Sequence, residues 1–94
     1  MSMTNIFGPN ETLLRKTDPD AYHNLMVHVF TRIAKEIENQ FNGTETILVE
    51  FDKEPSRLEQ RVIIEKLNEK CWAGNFVKTD NKTVLQISAF DLYA

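Results

Sequence analysis

Apolar residues between Tyr22 and Phe41 recur at helical spacing, but they cover more of the cylinder than one packing surface can bury. At about 100° per residue, Tyr22, Leu25, Met26, Val29, Ile33 and Ile37 form one stripe. Val27, Phe30, Ala34 and Phe41 widen it to roughly half the circumference, against the ~100° that faces a single layer. The pattern predicts a long helix covered on two sides, by a sheet and by something else. That second cover is another helix, the N-terminal arm or a second protein. Asp18-Pro19-Asp20 supplies an N-cap, a proline at the first helical position and an acid in the first turn, so the helix starts there. Asn42-Gly43 stops it.

Further along, Thr46–Asp52 is rich in β-branched residues and alternates, with Ile47, Val49 and Phe51 on one face of a first strand. Lys53-Glu54-Pro55 breaks that strand, and Ser56-Arg57-Leu58-Glu59 matches a capping box that opens a second helix. This helix is expected from about Arg57 to Trp72. Ile63, Ile64, Leu67 and Cys71 share one face, which makes Cys71 a core thiol. Leu58 and Val62 lie well around the cylinder, surplus to a simple core. Gly74-Asn75 ends the helix, and Phe76–Thr79 and Thr83–Ser88 flank a turn to make a β-hairpin. A two- or four-residue loop puts Phe76 on the face of Leu85 and Ile87, and a three-residue loop puts Val77 there. The Phe76 register is preferred.

Residues 1–17 read as an arm that docks through Ile6, Phe7, Leu13 and Leu14, with one helical turn capped by Asn10. Residues 18–94 then form a single α+β domain of two layers in α-β-α-β-β order. Both helices pack on one face of a three-stranded sheet that ends in the hairpin. The last residues, Ala89–Ala94, either prolong the third strand or form a short apolar tail.

Composition narrows the functional classes. With 41% hydrophobic and 27% charged residues among 94, the chain is an ordinary folded domain. A net charge of −3, spread without runs of one sign, disfavours a nucleic-acid reader that works through a basic surface. The single cysteine excludes an intrachain disulfide and a cysteine metal cluster. No secretory signal or membrane span is visible, and a cytosolic location, in a cell or an infected host, is the simplest expectation.

Candidate chemistry is sparse. His23 and His28 are five residues apart, not the i, i+4 spacing that aims two ligands at one metal. Glu50, Asp52 and Glu54 read as a solvated strand face more readily than as a cation site. Isolated glycines form no phosphate loop. Lys66, Lys70, Lys78 and Lys82, interspersed with acids, read as a solvated strip. Neither a catalytic constellation nor a cofactor site is expected.

What remains is surface for a partner. Leu58, Val62 and Trp72 on the second helix, and Val27 and Phe30 on the first, are the residues expected to meet it, because tryptophan among aliphatic neighbours is a typical interface composition. A sheet with free edges also invites strand addition. The expectation is a small non-catalytic protein-binding module that contacts another protein or itself as a homodimer. In general style, though through no specific motif, it is similar to accessory proteins encoded by bacteriophages, some of which inhibit host enzymes. A nucleic-acid-binding βαββ module is the alternative, and a small enzyme the third reading.

Overall fold

Alternation along Ile47–Phe51 (β1) sends Ile47, Val49 and Phe51 inward and leaves Leu48 and Glu50 exposed. Lys82–Ala89 (β3) alternates the same way and buries Thr83, Leu85 and Ile87. Together they form the sheet wall of one core, closed by Leu14, Leu25, Ile33, Val62, Ile63 and Leu67 from the helices. The computed structural model describes residues 6–43 and 46–89. Strand three includes Ala89, and residues 1–5, 44–45 and 90–94, with the expectations that fall on them, lie outside the described residues.

Three helical runs lie on one face of a three-stranded antiparallel sheet of order β1-β3-β2, the α+β architecture that the sequence predicts. Strand β2, Trp72–Thr79, pairs with β3 so that Phe76 stands opposite Leu85, the register of a two-residue turn at Asp80-Asn81. Both outer strands run antiparallel to β3 and hence parallel to each other, with β3 inserted between them.

Local capping works as its chemistry requires. Asp18 accepts the Ala21 N–H at 3.1 Å and opens α2, Pro19–Asn24. Ser56 and Glu59 exchange capping-box bonds of 2.8 and 3.1 Å at the start of α4, Arg57–Glu69. The long helix continues from α2 through a π turn, Leu25–Val29, into α3, Phe30–Gln40, where the Phe30 N–H bonds the Leu25 carbonyl. Leu25, Val29, Ile33 and Ile37 are four residues apart, a stride that drifts by roughly 40° per step at 3.6 residues per turn. One wider i→i+5 turn rotates the stripe back, so Leu25 and Ile33 both reach the core.

Four expectations change. The arm contains a full helix, α1 (Pro9–Thr17), rather than one turn, and its N-cap is Gly8, not Asn10. Val62 is completely buried, because α4 is covered both by the sheet and by α1. Trp72 begins β2 instead of ending α4. Cys71 is exposed rather than part of the core, at a left-handed φ of 65°. The helix stops there because Lys70 and Cys71 turn their N–H groups back onto Leu67 and Asn68 at 3.0 and 3.1 Å. Gly74 is thereby released into β2, where a Cβ would stand 2.8 Å from Leu67 Cδ1. A left-handed non-glycine residue costs about 1 kcal/mol. Cys71→Gly is therefore expected to stabilise the fold by roughly that amount, read as a rise in the denaturant midpoint at constant slope.

Candidate functional site

Gly8 and Pro9 start α1 against the side of α4. The Glu65 carboxylate accepts the backbone N–H groups of Asn10 and Glu11 at 3.4 and 3.2 Å, together with the Asn10 side-chain amide at 3.3 Å. It thus acts as an N-cap donated by another helix. A Cβ on Gly8 would collide with the Glu65 carboxyl group, so glycine is what lets the carboxylate approach.

One turn further on, Glu11 is buried, with 1% of its surface exposed. Its Oε2 accepts the Tyr22 hydroxyl at 2.7 Å, and its Oε1 meets Lys66 Nζ at 3.1 Å. These bonds tie α1 to both of its neighbours, α2 and α4. Burial, the hydrogen bond to Glu11 and the Glu11 charge push the Tyr22 hydroxyl above its ordinary pKa of 10.0, while Arg15 opposes them. Phe7 is held between Arg15 and Lys66, whose charged groups lie 4.3 and 5.8 Å from its ring centroid.

Between Ile6-Phe7, which precede α1, the outer flank of α3 and the end of α4 lies a groove of about 660 Å³. Phe30, Ile33, Ala34 and Ile37 form one wall, Leu67 with the stems of Lys66 and Lys70 the other, and Ile6, Phe7 and Trp72 line it as well. Trp72 is fixed by an edge-on contact with Phe41, centroids 5.0 Å apart. The flank left uncovered by periodicity is therefore a real feature: Phe30 is only partly buried, Ala34 is exposed, and Val27 beyond them is 45% exposed. Of the arm's described residues at the groove, Phe7 is partly buried and Ile6 is 92% exposed.

Of the five residues expected at an interface, Phe30 and Trp72 come together in this groove. Val27 lies on its outer flank, Leu58 packs against the core from the side, and Val62 is inside the core with no surface to offer. Sequence reasoning missed Lys66, Lys70 and Leu67 as the second wall. Their i, i+1, i+4 spacing was visible, but not that α1 would leave that side open.

The other candidates disperse. His23 and His28 are exposed on the helix, and no group of three or more His, Cys, Asp or Glu able to hold a metal exists among the described residues. Glu50 pairs with Lys82 at 3.0 Å and Glu54 with Lys78 at 3.2 Å, so the acidic strand end faces the hairpin lysines. The outer sheet face presents Leu48, Glu50, Asn75, Val77, Val84 and Gln86, with no aromatic ring among its described residues. No helix among the described residues is long and apolar enough to cross a membrane.

No family model, curated protein or solved structure matches this chain.

The Glu11 arrangement carries a pH signature. The folded-state pKa of Tyr22 is raised, so its contribution is fully present below pH 10 and lost as pH rises through the folded value. Unfolding free energy is expected to fall more steeply above pH 10 in the native chain than in Tyr22→Phe. At neutral pH that variant is expected to lose about 1 kcal/mol, because Glu11 loses a donor. Denaturant titrations of both proteins from pH 7 to 11 check the difference.

Proposed function

We propose that this protein is a non-catalytic binding module that takes an apolar segment of another protein into the groove between α3 and α4, in an accessory or inhibitory role. The observation that carries this reading is the groove itself: an apolar wall along α3, aromatic rings at Phe7, Phe30 and Trp72, and a length that stays open among the described residues. Its volume lies within the range of preformed binding clefts. Phe30, Ile33, Ala34 and Ile37 along α3, with Leu67 on α4, suit the apolar face of an amphipathic helix. Rings held by Arg15 and Phe41 are already ordered, so binding loses little side-chain entropy there.

The rim carries Lys70, together with Lys66 and Glu69, which already pair with each other while Lys66 also meets Glu11, so its mixed charge selects no one sign in the partner segment. A nucleic-acid reader would need stacking rings and cations on the open sheet face. Among its described residues that face carries aliphatic and amide side chains and a Glu50–Lys82 ion pair, with no aromatic ring.

Ala34 is exposed on the groove wall, so Ala34→Arg fills the groove without disturbing the core. Recovery of the bound partner from native lysate is expected to drop at least about tenfold in this variant, at an unchanged thermal midpoint, a loss equivalent to one well-packed anchor. Equal recovery by both proteins would place the contact elsewhere.

A further inference from the structure

The two edges of the sheet are not equivalent. In the hairpin, Thr79 and Lys82 are the first and fourth residues of the turn and form a hydrogen-bonded pair. Alternation then directs the backbone groups of Ala73, Asn75 and Val77 to β3, and those of Trp72, Gly74, Phe76 and Lys78 outward. The same count along β3 leaves Leu48 and Glu50 as the outward residues of β1. There the chain blocks itself. Gln40 donates its side-chain amide to the Leu48 carbonyl at 3.0 Å and accepts the Leu48 N–H at 3.1 Å, standing in for a neighbouring strand. Edge β1 is short and capped, while edge β2 has eight residues and, among the described residues, no backbone group bonded across it.

From this asymmetry we infer that β2 pairs with β2 of a second copy, antiparallel, about a two-fold axis through Asn75. Only this register matches all four outward residues with outward residues, Trp72 with Lys78 and Gly74 with Phe76, each pair exchanging two backbone bonds. A shift by two residues in either direction loses at least one of these pairs. The side chains agree with it. Gly74, whose helix-side space Leu67 already fills, stands opposite Phe76 of the second copy and presents no side chain against it. Lys78 stands opposite Trp72 of the second copy and keeps Glu54 as its partner, so no like charges oppose each other. Ile64, half-buried against Gly74, extends the apolar strip along the helix side of the edge. The product is a six-stranded sheet with β2 at its centre. This pairing uses only the sheet edge and stands whether or not the groove binds a partner.

The test is molar mass by light scattering across a concentration series, together with two variants in a Cys71→Ser background. A mass near twice 10.9 kDa is expected. Asn75→Cys places two cysteines on the axis as a non-hydrogen-bonded pair, with Cα atoms about 4.5 Å apart, within disulfide reach. Mild oxidation is expected to link that variant as a dimer, and not Gln86→Cys, which lies on the same face of the central strand. Lys78→Pro removes one outward donor per copy without touching the β3 ladder and is expected to weaken dimerisation about tenfold. Ala34→Arg is expected to leave the dimer intact. A mass of 10.9 kDa at millimolar concentration overturns the inference. So does a dimer indifferent to Lys78→Pro whose Asn75→Cys form does not cross-link.

Discussion

Glu11 brings a charge into the packing between three helices, and the position of α1 depends on how that charge is met. A carboxylate taken out of water costs several kcal/mol unless a cation and hydrogen-bond donors replace its hydration. Tyr22 supplies one donor and Lys66 the cation, each from a different element. The observed placement of α1 satisfies both, and Glu65 reinforces it by capping the first turn. Leu14 is buried by the same placement, so apolar burial and charge satisfaction select a single geometry. Such a bond set adds specificity more than stability, because apolar replacements of equal volume could pack as tightly without fixing the orientation.

Once α1 is placed this way, the groove follows. The helix lies over α2 and against α4 at Glu65 and Lys66, so it covers Tyr22 and buries its own Leu14 but does not line the groove beside Phe30, Ala34 and Ile37. The excess apolar circumference of the long helix is thus divided among the sheet, α1 and open surface. The π turn contributes as well. By rotating the Leu25-to-Ile37 stripe toward the sheet, it fixes which residues remain on the outer flank.

Elements governed by neighbours in sequence were legible before the structure. The Asp18-Pro19 start, the Ser56-Glu59 box, the inward face of β1 and the Phe76 parity of the hairpin all rest on contacts a few residues apart. Those set by distant contacts were not. Trp72 reads as helical until Cys71 takes a left-handed turn, and Gly74 reads as a helix stop until Leu67 claims the space above it. Val62 looked surplus because the α1 layer was unknown. For the candidate site, the wall on the long helix was visible as an overfull apolar arc, whereas the α4 wall needed the placement of α1.

The Gln40 contact at Leu48 bears on how the sheet is kept from pairing at random. A side-chain amide carries the same donor and acceptor as a peptide group, and held rigidly by Glu36 at 3.1 Å it can terminate a strand ladder. The chain spends a glutamine at the end of α3 for this purpose on an edge only five residues long. On the longer edge the protection among the described residues is a single lysine, Lys78, already engaged by Glu54. If avoiding edge association were the governing constraint, the long strand should be the better guarded one. The reverse holds, and an open edge beside a capped one directs any association to one side of the sheet. Trp72 links the two surfaces, since it lines the groove and also begins the open strand, so a copy paired along β2 would stand beside the mouth of the groove.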